Sequence, residues 1–474
     1  MQARFLNLAI VASALISTAA IAADTSSSKS QRVEEDIAVY REKFLAVDKS
    51  FTRESRAAAE ARLEKLKQRS ASVSPTEFVV ELCRIAVLAD NGHTGCMSKA
   101  AGVESCRQWA LIEGKPPLVC DAKESALNIP DFETVAIGFR PFLSEFHVIA
   151  VPAESSELLG ARLLAVNGKS VQQIRQELRS FSAGRVGFRD LTAAGVLASP
   201  ERLHAAGLGD QARSVSYEFL TTKERTVQRT FELGAKSGSM VQGPANAPSL
   251  PWALQESNAP FRFRDAPDLD AVIIQLRQNV DSPSEKIELF LRKSEANRAR
   301  LGRKNVVLDM RFNSGGNLVA TRDFMVSWPA LVPGRFYVLT SSQTFSAGMV
   351  STAYLKQSGA DRVVIVGEPV GDRLMYFSDG RPVRLPNSGL MLYAAQVRTD
   401  LQDGCRQYDD CFAGVAQPGR PAAPLPVGAL SIKRMPVSVG SLDPDIAAPW
   451  TIESWIDSTD PMLEAVHRSI NKPR

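Results

Sequence analysis

Past residue 22 the chain contains no apolar run long enough to span a bilayer, which leaves no place for a transmembrane helix in the remainder. It also lacks any basic run with interleaved aromatics, and a net charge of +4 with both signs mixed argues against a nucleic-acid partner. No internal repeat is visible. Histidine is scarce, at four residues, and the six cysteines are spaced irregularly with few histidines beside them. That pattern disfavours zinc, which stays the competing reading of the cysteines, and neither a metal nor an organic cofactor is implied.

What is present begins at the first residues. Arg4 precedes a mostly apolar stretch from Phe5 to Ile21, Ala20-Ile21-Ala22 offers the small residues of a cleavage site, and Asp24-Thr25-Ser26-Ser27-Ser28 turns polar at once. Residues 1–22 are therefore expected to be a signal peptide and the mature protein to be periplasmic or secreted; an uncleaved anchor is the alternative. Cys83, Cys96, Cys106, Cys120, Cys405 and Cys411 suit an oxidising space. Their clustering suggests two bridges within the first group and one between Cys405 and Cys411.

At 474 residues the chain exceeds one ordinary domain. Residues 33–121 read as an N-terminal helical domain: Ile37, Tyr40, Phe44, Val47 and Phe51, then Ala58, Ala61, Leu63 and Leu66, recur at near-helical spacing among charges. Ser74-Pro75-Thr76-Glu77 is a capping box with proline at the first helical position, and the helix it opens should stop at Asn91-Gly92, handing over His93 and Thr94. Residues 130–234 alternate short apolar runs with turns, including an Asn167-Gly168 hairpin followed by a helix from Val171 to Leu178. Residues 244–260, with Pro244, Pro248, Pro251 and Pro260, read as a linker. Residues 261–474 form the core: strand Ala271 to Leu276, helix Pro283 to Arg300 and strand Val306 to Met310 make the repeat of an α/β layer, and Gly414 to Gly428 is a proline-rich surface loop.

The centre of the chain lies between Lys304 and Val350. Val306-Val307-Leu308 runs into Asp309-Met310-Arg311 and breaks at Asn313-Ser314-Gly315-Gly316, a buried strand turning through a loop poor in side chains, where backbone N–H groups are exposed. Phe336 to Leu339 is a second apolar run, and Ser346-Ala347-Gly348 follows it just before a helix-compatible segment. Ser346 thus falls at a strand-to-helix corner, where a serine nucleophile needs to be. A serine that only caps the helix is the plainer alternative.

These loops resemble the C-terminal processing (tail-specific) proteases and the related tricorn-core and interphotoreceptor retinoid-binding proteins. VVLDMRFNSGG and TFSAGM stand where that family has LDLR-N-GG and T-x-SA-x-E, although Met349 occupies the place where the family often has Glu. Asp90-Asn91-Gly92-His93-Thr94 is similar to the D-G-H-T segment of the tricorn-like branch, with Asn91 as one extra residue. The segment around Asn167-Gly168 resembles a turn of PDZ domains, for which a generic hairpin is the alternative.

The resemblance implies an α/β (α+β multidomain) fold, with a crotonase-like strand-strand-helix spiral core, the N-terminal helical domain and a PDZ-like β-rich module. It implies Ser346 as nucleophile, with an oxyanion hole from the N–H groups of Ala347 and of Gly315 or Gly316. Arg373 falls where the tail-specific branch has its lysine base, and an arginine stays protonated, so His93 is expected as the base instead. A histidine set against a helix dipole is the alternative for His93. Asp400, or else Asp403, is expected to orient the imidazole, and Arg373 either binds a substrate carboxylate or pairs with a neighbouring acid. The expected activity is that of a serine-type endopeptidase acting on peptides or unfolded polypeptides. A non-catalytic peptide- or apolar-ligand-binding protein on the same scaffold, or an esterase, are the alternatives.

Overall fold

The computed structural model describes residues 28–97, 126–127, 132–235, 238–243, 250–256, 258–404 and 437–471. The expected signal peptide, Cys106, Cys120, Cys405, Cys411 and the proline-rich segment 414–428 lie outside the described residues.

Three helices open the chain: α1 (Lys29–Val39), α2 (Arg53–Gln68) and α3 (Pro75–Ala86). Each starts where a hydroxyl accepts a hydrogen bond from an otherwise orphaned backbone N–H of the first turn: Ser28 from Gln31, Thr52 from Ser55 and Ser74 from Glu77. The third helix does not continue to Asn91. It ends at Ala86, because the chain tightens into a 3₁₀ turn over Val87–Ala89 and Asp90 then takes a left-handed φ of 49°. The short strand β1 (Gly95–Cys96) follows, and a Cys83–Cys96 disulfide ties it back to α3.

A β-rich body comes next: β2 (Gly138–Phe142), β3 (Glu145–Pro152), β4 (Arg162–Val166), β5 (Lys169–Ser170), α4 (Val171–Leu178), α5 (Val186–Leu197), α6 (Pro200–Ala205), β6 (Ser214–Leu220), β7 (Thr226–Glu232) and β8 (Met240–Gln242). Asn167 and Gly168, at φ 49° and 76°, turn β4 into β5 as the dipeptide leads one to expect. The sheet runs β2-β3-β4-β6-β7, and α4 and α5 close its core through Ile174, Leu178, Ala193 and Leu197.

The last part holds β9 (Phe261–Ala266), β10 (Ala271–Leu276), α7 (Ile287–Arg300), β11 (Asn305–Asp309), α8 (Val319–Leu331), β12 (Phe336–Thr340), α9 (Ala347–Gly359), β13 (Val363–Gly367), β14 (Met375–Ser378), β15 (Arg381–Arg384), β16 (Met391–Ala394), β17 (Val397–Asp400), β18 (Ile446–Ala447), α10 (Ile452–Ile456) and α11 (Pro461–Ile470). Its six-stranded sheet has the order β18-β13-β12-β11-β10-β9, parallel except for β9. The central strands are buried on both faces, which is why their sequences read as continuous apolar runs. Leu291, Met325 and Trp328 from α7 and α8 cover one face, and Trp450, Trp455 and Met462 cover the other. The whole is a mixed α/β fold with several sheets. The loops after β11, β12 and β13 leave from one edge of the parallel sheet, where open α/β sheets place their sites.

The N-terminal helices are not separate from this edge. Val383, Leu385, Leu392 and Ala394 of the β15–β16 hairpin share one core with Tyr40, Leu63 and Phe78, and β1 pairs with β16. The 90–94 loop is thereby held against the strands that follow β13.

A buried ion cluster fixes the end of β11. The Arg311 guanidinium donates to Asp309 at 2.9 Å and to Asp460 at 2.8 Å, and Asp460 also accepts from the Met462 and Leu463 N–H groups that open α11. Burial alone would raise the Asp309 carboxyl, but the Arg311 charge together with the hydrogen bonds from Arg311 and Gln275 outweighs it and holds the group below its usual range. Arg311→Met should leave Asp309 buried without a counter-charge and lower the unfolding free energy by about 3–5 kcal/mol. Urea denaturation measures this, and a loss near zero would mean that the acids are solvated.

Candidate active site

Ser346 sits at the turn from β12 into α9. The turn before it is pinned to the end of β11, since the Thr344 hydroxyl donates to the Met310 carbonyl at 2.8 Å and the Ser341 hydroxyl to that of Arg311. Ser346 itself has φ 51° and ψ −125°, a sparsely populated conformation for a residue with a Cβ. It occupies the capping position of α9, but its side chain makes no cap hydrogen bond. The hydroxyl is half-buried and not consumed by the helix.

The glycine loop lies against this corner. A Cβ placed on Gly315, at φ 107°, would sit 2.6 Å from the Ser346 Cβ and 3.1 Å from its Oγ, so only glycine fits. Two buried asparagines hold the loop. The Asn313 Oδ1 accepts the Gly315 N–H at 2.9 Å, and the Asn313 Nδ2 donates to the Asn279 Oδ1 at 2.8 Å. Asn279 in turn donates to Thr321 and Ser351, both at 2.9 Å, while its backbone N–H donates to the Gly315 carbonyl. The Gly315 N–H is therefore engaged. Those of Gly316 and Ala347 make no hydrogen bond among the described residues.

His93 reaches the same place from the N-terminal segment. Asn91 fixes its loop by exchanging two hydrogen bonds with the Phe377 backbone at 2.9 and 3.0 Å, and Thr94 donates to Asp48 at 2.8 Å. The imidazole lies between two rings: Phe345 stacks at a centroid distance of 4.6 Å and Tyr376 at 4.9 Å. Its side chain is 12% exposed, and neither ring nitrogen has a hydrogen-bond partner. Burial lowers its pKa to about 4, because the charged form loses its hydration. No hydrogen bond joins His93 to Ser346; what links them is Phe345, whose ring faces the imidazole and whose peptide bond leads to the serine.

The carboxylate nearest His93 is that of Asp372, with its Oδ2 3.9 Å from the Nδ1. It accepts the N–H groups of Gly92 at 3.0 Å and of Arg373 at 2.8 Å, and burial pushes it up to about 6 against these bonds. Asp90 accepts from Arg189 on one carboxylate oxygen and from Arg373 on the other. A cavity of about 730 Å³ opens nearby, with Leu143, Val186, Gly187, Ser342, Val370 and Arg373 among its walls; neither Ser346 nor His93 lines it.

No protein-family profile matches the chain, and no curated protein does. Among solved structures, that of mature CPAF complexed with lactacystin superposes with a TM-score of 0.56 at 13% identity, over 93% of this chain and 98% of that one. The fold is that of CPAF. A second structure of mature CPAF gives 0.55 at 12% identity, over 93% and 97%. The photosystem II D1 C-terminal processing protease also aligns, over 94% of this chain and 98% of that one, at 14% identity and a TM-score of 0.38. The CPAF comparison shows a shared fold over nearly the whole of both chains.

Within that fold the expected residues fall unevenly. Ser346, Ala347, Gly315 and Gly316 come together, and His93 joins them through Phe345. Asp400 does not meet His93. It lies on β17, where Arg398 donates to it at 2.9 Å and the Asp403 N–H at 3.0 Å. Arg373 spends its guanidinium on Asp90. Met349 is wholly buried in the core. Tyr376 and Phe345 were not singled out for the site by sequence, and Asp372 was given no role there beyond a polar loop beside it, because their closeness to His93 arises only when the 90–94 loop docks across the sheet.

The two shifted groups act oppositely on stability. His93 titrates lower in the folded chain than its ordinary 6.5, so on acidification from 6.5 to about 4 the unfolded chain gains a proton that the folded one refuses, and stability is lost. Asp372 titrates higher than its ordinary 3.8, so its burial is a penalty that is fully present above about pH 6 and relieved towards pH 4. Asp372→Asn should accordingly raise the unfolding free energy at pH 7.5 by on the order of 1–3 kcal/mol, with the gain shrinking towards pH 4. Urea titrations at both pH values check this, and an equal effect at the two would mean that Asp372 titrates normally.

Proposed function

We propose that the chain is a serine-type peptidase that cuts peptides or unfolded polypeptide through an acyl-enzyme on Ser346. The observation that carries this is the strained, uncapped Ser346 beside Gly315, within a fold matching CPAF. A serine that merely capped α9 would use its hydroxyl on the helix and need no such backbone.

In this reading the Ser346 Oγ attacks the substrate carbonyl carbon while His93 takes its proton. Asp372 lies towards the Nδ1, which leaves the Nε2 to receive that proton. The imidazolium then stands between the faces of Phe345 and Tyr376, beside a carboxylate, and both favour the transient cation. The tetrahedral oxyanion takes the N–H groups of Gly316 and Ala347, and Gly315 contributes by having no side chain. The C–N bond breaks as His93 returns the proton to the leaving amine, and water attacks the acyl ester by the same route in reverse. Asp372 replaces Asp400 as the orienting acid. The β2–β8 body serves as the PDZ-like module that retains substrate, the last part is the crotonase-like core, and the protein works in the periplasm or outside the cell.

The test is digestion of an unfolded protein by the mature chain with mass-spectrometric readout. Ser346→Ala and His93→Ala should each lose about a thousandfold or more with folding retained, and Gly315→Ala about a hundredfold or more, since its methyl group displaces the serine corner. Full cleavage by His93→Ala would remove it as the base, and equal, negligible cleavage by all chains would overturn the peptidase reading. In the wild type kcat/KM should rise through about pH 6 as Asp372 ionises, and Asp372→Asn should lack that limb.

A further inference from the structure

We propose that Phe188 and Arg189, neighbours on the first turn of α5, are positioning residues that hold His93 and the Ser346 corner in register. This rests on the reading of Ser346 and His93 as the acting pair.

Four rings from four segments form one stack. Tyr376 of β14 lies on His93 with an interplanar angle of 9°, His93 lies on Phe345 at 28°, and Phe345 lies on Phe188 at 12°. The Phe345–Phe188 centroid distance is 4.7 Å, as close as the contacts His93 itself makes. The two inner rings belong to the 90–94 loop and the serine corner. The outer ones close the stack, and Phe188 is the only one of the four carried by the β-rich body.

Arg189 makes a second tie. It donates to one oxygen of Asp90, three residues before His93, while Arg373, next to Asp372, takes the other. Its Nε is fixed by the Gly184 carbonyl at 2.8 Å. Around both residues the backbone itself is docked. The Arg185 N–H donates to the Gly371 carbonyl at 2.9 Å, a Cβ on Gly184 would lie 3.0 Å from that oxygen, and one on Gly187 would lie 2.8 Å from the Ser342 Cβ. Gly184 and Gly187 permit an approach that side chains would block.

The helix is divided in its duties. Ala193, Ala194, Val196 and Leu197 at its far end belong to the core of the β-rich body, so the body keeps α5 without Phe188. Removal of the Phe188 ring bares one face of Phe345 and loosens the His93 it supports. Water then reaches the imidazole. The titratable groups against His93 are Asp372 and Tyr376; Arg373 and Asp90 act on Asp372, and Arg189 of α5 reaches them through Asp90. Of these only Arg189 is changed by a second variant, which separates the stack from the ionic tie.

The experiment uses the full mature chain with ¹³C-labelled histidine rings, in wild type and in Phe188→Ala, Phe188→Tyr, Arg189→Ala and Arg189→Lys. His93→Gln assigns the signal, and thermal melts accompany every variant. The His93 ring should titrate about one pH unit or more higher in Phe188→Ala than in wild type, as its desolvation is relieved. On a cleaved peptide, kcat should fall about tenfold or more with KM changed less than about twofold. Phe188→Tyr should restore both, and Arg189→Ala should lower kcat in the same sense, with Arg189→Lys recovering part of it. An unmoved His93 titration in Phe188→Ala, or a rate loss that only follows the lost folded fraction, overturns the proposal. A wild-type chain without turnover would overturn the peptidase reading alone, since the ring titration still decides this one.

Discussion

The approach of Gly315 to Ser346 is the constraint on which the rest of the structure depends. A methyl group does not fit between them, so the loop after β11 and the corner after β12 have to be held to within a fraction of an ångström. Neighbouring parallel strands bring the two loops together but do not fix them to that tolerance. The buried Asn279–Asn313 pair does, by holding the Gly315 N–H, the Gly315 carbonyl and the Asn317 N–H from inside the protein. Arg311 fixes the strand end from the other side, and through Asp460 it also binds the last helix to the same point. Rigid support thus lies beneath the serine.

His93 is held by different means. Its loop is tied by side chains that stand in for backbone, Asn91 to Phe377 and Asp372 to Gly92, whereas the ring itself is held by stacking alone. Hydrogen bonds would fix a protonation state; stacked faces fix a position and leave both nitrogens free. In the proposed mechanism that division suits a group that gains and loses a proton without moving.

What is legible in the sequence follows from which contacts are local. Ser74 and Pro75 announced a helix start because capping is decided within four residues, and Val306 to Leu308 announced a buried strand because both its faces are covered. Asn167-Gly168 gave its hairpin for the same reason. Ser346, Gly315 and His93 were legible through motif spacing. The acid that lies nearest His93 was not. Asp400 follows an apolar strand and looks apt, yet Arg398 two residues away claims it, while Asp372 lies 279 positions beyond His93 and is brought to it by the docking of the 90–94 loop. Phe188 gave no signal at all, since a lone phenylalanine in a helix such as Val186–Leu197 reads as core.

The Cys83–Cys96 bond has His93 inside the ring of chain that it closes. An open segment of that length, once released from its packing, explores many shapes, and each return to the sheet edge repeats the search. A closed one keeps its two ends in company whenever the packing lets go. In the terms of chain statistics, the bond shifts most of the entropy of placing that histidine from every opening of the loop to a single earlier event, the oxidation of two thiols.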